Sequence, residues 1–199
     1  MIEQVADAAA GETVSYSYRP SVFGAPREFK LTDRGIGWTV GLRSGSIPFD
    51  GVRRLRVSYR PNSMQSHRFV TELWADGSAK LLISSSSWKS MMEQERLDGA
   101  YSSFVRELHR RISRANGSTQ FERGSNSLIY WLGILVFAGA GIGLVALVVR
   151  ALQAGATTSA AIVGTFLVFY LWQAGNFFRR NRPGTYRPDA LPADVMPRE

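Results

Sequence analysis

The side chains able to do chemistry are few and scattered. The chain has two histidines, His67 and His109, and neither has a His, Asp or Glu at the spacing of a metal site. Cysteine is absent, which excludes disulfides and thiolate ligands. The hydroxyl run Ser84, Ser85, Ser86 and Ser87 has no base nearby in sequence and reads as a solvated loop. Glu93, Glu95 and Asp98 stand just ahead of a helical stripe, where carboxylates suit the positive end of a helix dipole better than acid–base catalysis. The string GAGIG at 139–143 lies in an apolar stretch without the strand–turn–helix setting of a dinucleotide site. No Gly-x-Ser-x-Gly elbow or Walker loop occurs. No catalytic, cofactor or metal residue is therefore assigned, and the chain is not expected to be an enzyme.

Arginine is the one chemically suggestive residue type. Arg53, Arg54, Arg56 and Arg60 fall on one short segment, with Arg34 and Arg43 at neighbouring turns. Near an anionic bilayer each such cation contributes roughly 1 kcal/mol of attraction. The four are therefore candidate contacts for anionic lipid. A solvated face on an arginine-rich chain, with 21 Arg against 3 Lys, is the plainer alternative. Nucleic acid is not expected as a partner. Residues 1–127 carry 18 basic and 13 acidic groups, and no aromatic stacking motif accompanies the arginines.

The elements that must position these residues divide sharply by composition. The chain has 199 residues and a formal charge of +8, with a mean hydropathy of −0.10. That average conceals two uncharged runs, 124–149 and 151–178, separated only by Arg150. Runs of this length predict membrane-spanning helices, placed here at 128–149 and 157–178. A 22-residue helix is about 33 Å long, enough for a hydrocarbon core of about 30 Å. The connection is too short to fold alone, so the two form an antiparallel hairpin.

Arg110, Arg111, Arg114 and Arg123 precede the hairpin, and Arg179, Arg180, Arg182 and Arg187 follow it. The positive-inside rule then places both termini in the cytoplasm, with Tyr130, Trp131, Tyr170, Trp172, Phe177 and Phe178 near that interface. Gly139 and Gly143, with Ala160 and Gly164 on the second helix, have the small-xxx-small spacing of close helix packing. Packing within the hairpin is the favoured use of these residues, and self-association the alternative. Gln173 and Asn176 read as interfacial hydrogen-bonding groups.

Ahead of the hairpin the period is two. Strands are expected at 13–19, 28–32, 36–42, 46–49, 52–60, 68–75 and 78–84. Asp33-Arg34-Gly35 and Asp76-Gly77 supply tight turns, with glycine at positive φ. In the fifth strand Leu55, Val57 and Tyr59 alternate with Arg54, Arg56, Ser58 and Arg60. The period then changes, and Leu97, Tyr101, Phe104, Val105, Leu108 and Ile112 form one stripe of an amphipathic helix ending at Asn116-Gly117. The expected core combines Trp38, Val40, Leu55, Val57, Leu81, Ile83, Phe104 and Leu108.

Seven strands and a helix in this order, with the stretches FKLTDRGIGWTVGLRSGSIPFDGVRRLRVSY, WADGSAKLLIS and YSSFVRELHRRI, resemble the bacterial pleckstrin-homology-like (PH-like) domains over residues 13–115. The resemblance implies an α+β fold, a seven-stranded bent antiparallel sheet plugged at one end by the helix. Tyr101, Phe104, Leu108 and Ile112 would form the plug.

The expected organisation is a flexible lead at 1–12, a cytoplasmic PH-like domain at 13–116, a polar linker at 117–127, the two-helix hairpin, and a Pro/Arg-rich tail at 179–199. Residues 1–12 lack the basic start and apolar core of a signal peptide. The tail, with Pro183, Pro188, Pro192 and Pro197, runs extended, either free or as a strap on the domain or a partner. Together these features describe a non-enzymatic multi-pass protein of the inner membrane. Its PH-like domain would bind or scaffold, with lipid, a protein or a second copy as partner. The alternative is a small oligomeric transport or channel component.

Overall fold

A computed structural model describes residues 14–61, 67–91, 93–115 and 117–197. The expected lead at 1–12 and the Asn116 cap lie outside the described residues. The fold is α+β with three helices, and it divides into two units: 1–123 with 185–199, and 124–184.

All seven expected strands are present: β1 (Val14–Tyr18), β2 (Arg27–Leu31), β3 (Gly35–Val40), β4 (Arg43–Pro48), β5 (Val52–Tyr59), β6 (Phe69–Ala75) and β7 (Leu81–Ser84). They do not form one sheet. β1 to β4 make a four-stranded antiparallel meander, while β5, β6 and β7 belong to a second sheet. The stretch after β7 is not a plain loop, because β8 (Ser86–Trp88) and β9 (Gln94–Arg96) pair as a ribbon. The expected polar linker contains β10 (Gln120–Arg123), which joins β5 in parallel. A two-residue strand, β11 (Gly184–Thr185), completes the order β11-β10-β5-β6-β7.

Turn chemistry explains part of this arrangement. Gly77 has φ of 65° in the Asp76-Gly77 turn, the left-handed region that glycine enters without penalty. Gly35 is needed for a different reason than expected. Its φ is not positive, but a Cβ there would run into the Ile47 carbonyl of the neighbouring strand.

Helix α1 (Asp98–Ala115) contributes its stripe of Tyr101, Phe104, Val105, Leu108 and Ile112 to the core shared with both sheets, where all five are buried. Phe104 meets the rings of Tyr16 and Phe29 at 5.4 and 6.4 Å, and the Tyr101 hydroxyl lies 2.6 Å from Thr71 Oγ1. Of the expected core, Leu55, Val57, Leu81, Ile83, Phe104 and Leu108 are buried, but Trp38 and Val40 are only partly so. Ile36, lower on the same strand face, takes the fully buried place.

The tail packs as a strap on the first unit. Val195 and Met196 are buried in its core, with Tyr186 and Leu191 against them. The Tyr186 N–H donates to the Phe121 carbonyl at 3.1 Å, and Arg123 approaches Asp194 at 4.0 Å.

The second unit is a pair of helices, α2 (Ser127–Gln153) and α3 (Thr157–Arg180), both longer than expected. Each is long and apolar enough to cross a membrane. Asn126 caps α2 by accepting from the Leu128 N–H.

Candidate functional site

The arginine strand β5 is built by three elements. A register shift between Val52 and Arg54 breaks the alternation at the strand start. Beyond it Leu55, Val57 and Tyr59 enter the core, and the other face carries Arg54 and Arg56. That face is not open. Parallel pairing sets Glu122 of β10 beside Arg56, whose Nε donates to Glu122 Oε2 at 2.9 Å. Antiparallel pairing sets Trp74 of β6 opposite Arg54, and the guanidinium lies 4.1 Å from the indole centre. A cation over an aromatic face gains about 0.5–2 kcal/mol, more where water is excluded.

Each of the four candidate lipid contacts has an acidic neighbour. Arg53 Nε donates to Asp76 at 2.6 Å, in a pair exposed at the hairpin turn. Arg54 stands 3.9 Å from Glu122. Arg56 is only 9% exposed, and its strand face is covered rather than solvated. Arg60 Nη2 donates at 2.7 Å to Glu72, a carboxylate with 3% side-chain exposure that also takes Lys80 at 2.8 Å. Glu72, Trp74, Lys80 and Glu122 lie outside the arginine segment in sequence. Strand pairing joins Glu72, Trp74 and Glu122 to it, and Lys80 joins through its ion pair with Glu72.

The histidines stand apart. Nδ1 of His67 lies 2.6 Å from the Tyr59 hydroxyl. His109 is fully buried on α1, with Nδ1 2.6 Å from the Val105 carbonyl and Nε2 2.6 Å from the Tyr186 hydroxyl. A carbonyl only accepts, so Nδ1 carries the proton and Nε2 accepts from Tyr186. Burial draws the ring's pKa down to about 4. The acidic trio is divided too. Asp98 opens α1 and pairs with Arg96, whereas Glu95 meets Lys89 at 3.5 Å. The serine run is split between β7 and β8, and Ser84, Ser85 and Ser86 are buried. Ser85 Oγ accepts from the Phe69 N–H, a structural bond within the sheet region.

In the helix pair the contact runs through a different small-residue row than expected. A Cβ on Gly133 would lie 3.3 Å from Phe178, and one on Gly141 would lie 4.0 Å from Tyr170. Between them Phe137 stacks on Tyr170 at 4.3 Å, and the Tyr170 hydroxyl donates to the Phe137 carbonyl at 3.0 Å. Ala160 is buried, but Gly139, Gly143 and Gly164 would meet nothing within 4 Å of a Cβ.

No protein-family model matches the chain, and no curated protein or solved structure matches it either.

Proposed function

We propose that the chain is a non-enzymatic integral membrane protein whose first unit is a PH-like binding or scaffolding domain on the cytoplasmic side of the inner membrane. The observation that carries the membrane part is the apolar surface of α2 and α3. Gly141 and Ala160 are their buried residues, while Leu128, Leu135, Val136, Ile142, Phe166 and Val168 are each more than 60% exposed. In water such a surface far exceeds what monomeric soluble domains leave uncovered, whereas lipid covers it without cost. Strand order supports the PH-like part: a four-stranded meander, a three-stranded meander and a plugging helix follow one another along the chain. Residues before and after the helices belong to one unit, which favours both flanks on one membrane side. The flanking arginines favour the cytoplasm for that side.

Topology mapping tests this reading. A label at Gly155, between the helices, should react only from outside, and a C-terminal reporter should register as cytoplasmic. A C-terminus on the outside refutes the hairpin. The competing reading, an oligomeric transport component, draws on the uncovered Gly139, Gly143 and Gly164. A monomer or dimer in mild detergent argues against it.

A further inference from the structure

We infer that a cavity of the first unit, lined by Arg27, Arg60 and Arg68, binds a phosphoryl oxyanion such as a phosphomonoester. The volume is about 230 Å³. That is below the roughly 300–1,000 Å³ of sites for drug-sized ligands and well above the roughly 30 Å³ of one water. It suits a small anion or the phosphate end of a larger molecule.

Three chain segments converge on it. Arg27 opens β2, Arg60 follows β5 and Arg68 precedes β6, while Tyr18, Ser84 and Ser86 add hydroxyls from β1, β7 and β8. Charge there is unbalanced. Arg60 is held by Glu72, a carboxylate already shared with Lys80. Arg27 and Arg68 make no ion pair among the described residues. Arg68 spends its Nε on the Arg60 carbonyl at 3.0 Å, and Arg27 Nη1 reaches the Tyr18 hydroxyl only at 3.5 Å. Arg27 Nε is buried and has no acceptor among the described residues.

Such a buried donor is destabilising when left without a partner, and an anion in the cavity supplies the acceptor. Burial and the neighbouring Arg60 cation push the Arg68 pKa down, as expected for a guanidinium enclosed without a counter-charge. Guanidinium forks match phosphate oxygens in geometry and in charge. This cluster is distinct from the β5 face. Of the four candidate lipid contacts, only Arg60 belongs to it. The cavity can take a phosphate whether or not α2 and α3 span a membrane, so a negative result here leaves the topology measurement unaffected.

The test uses the full chain in neutral detergent. Inorganic phosphate and dioctanoyl phosphatidic acid are titrated separately, with dioctanoyl phosphatidylcholine as the control lipid. Binding should fall roughly tenfold or more in Arg27→Gln and in Arg68→Gln, the loss of one charge-assisted hydrogen bond. Arg27→Lys should retain part of the binding and Arg43→Gln all of it. Saturation by inorganic phosphate identifies a free phosphate group as sufficient. Binding of phosphatidic acid alone, with the same variant pattern, identifies a lipid headgroup. On the unmodified chain, the better-binding probe should protect the Arg27 and Arg68 peptides, but not Arg43, from phenylglyoxal. The inference is overturned if neither probe binds, if binding ignores Arg27 and Arg68, or if no protection appears.

Discussion

Acid should loosen the first unit through His109, by an amount that follows from its surroundings. The ring is fully buried, neutral, and bonded at both nitrogens, to the Val105 carbonyl and the Tyr186 hydroxyl. Its pKa falls from 6.5 to about 4 because burial penalises the cation. In the unfolded chain the same ring protonates near its ordinary value. Between those two values the unfolded state therefore binds more protons than the folded state, and stability must fall as pH falls. The contribution is fully present above about pH 6.5 and is lost progressively toward pH 4. At about 1.4 kcal/mol per pH unit, the span amounts to about 3 kcal/mol. Carboxylates titrate over part of the same range, so the difference between two proteins is the informative quantity. His109→Gln keeps a polar group near Tyr186 and cannot titrate. Urea unfolding of the full chain in neutral detergent, followed by near-UV circular dichroism from pH 7.5 to 4, should show a steeper loss in the parent than in His109→Gln. Equal slopes for the two would refute the reasoning.

Three further outcomes are expected. Phe104→Ala should cost about 3–5 kcal/mol in the same unfolding assay, because the ring is 1% exposed and meets Tyr16 and Phe29. A loss under about 1 kcal/mol would show that the ring is not in a packed core. Ending the chain after Arg187 should cost about 3–6 kcal/mol, from the burial of Val195 and Met196, and should speed proteolysis of the first unit; unchanged proteolysis counts against the strap. Gly141→Leu should disrupt the helix pair while Gly139→Leu is tolerated, since only the first faces Tyr170. Disulfide cross-linking between cysteines placed on α2 and α3 would read the difference, and equal cross-linking in both variants would refute it.

What the amino-acid sequence made legible was local. Alternation marked the seven strands, the helical stripe marked α1, and the uncharged runs marked α2 and α3. These signals lie within a few residues of one another. What stayed hidden depends on distant partners. Arg56 reads as a solvent residue because its neighbours Leu55 and Val57 are apolar, yet Glu122 meets it across a parallel register. Strand β10 has one buried apolar residue, Phe121, and a single residue cannot display a period. The strap buries Tyr186, Val195 and Met196 to different depths without helical or strand spacing, so its prolines dominated the reading. In α2 the glycines offer two overlapping rows. The bulk of Tyr170 and Phe178 on α3 decides which row faces inward. The arginines of the cavity belong to three segments, and no window along the chain contains them all.

The first unit is discontinuous in sequence, with the helix pair inserted within it. The chain leaves that unit after Arg123 and rejoins it at Thr185. Closing a long flexible loop would cost entropy that grows with its length. α2 and α3 run as an antiparallel pair, and the Ser125 N–H donates to the Asn181 carbonyl at 3.0 Å, which pins the two ends of the insertion together. A Cβ at Gly124 would strike the Asn181 and Arg182 carbonyls, so glycine, at a φ of 77°, permits that approach. Within the first unit, the Tyr186 N–H donates to the Phe121 carbonyl and its hydroxyl bonds His109. Gly124→Ala should therefore loosen the base of the helix pair, and unchanged hydrogen exchange at the Ser125 N–H would refute this.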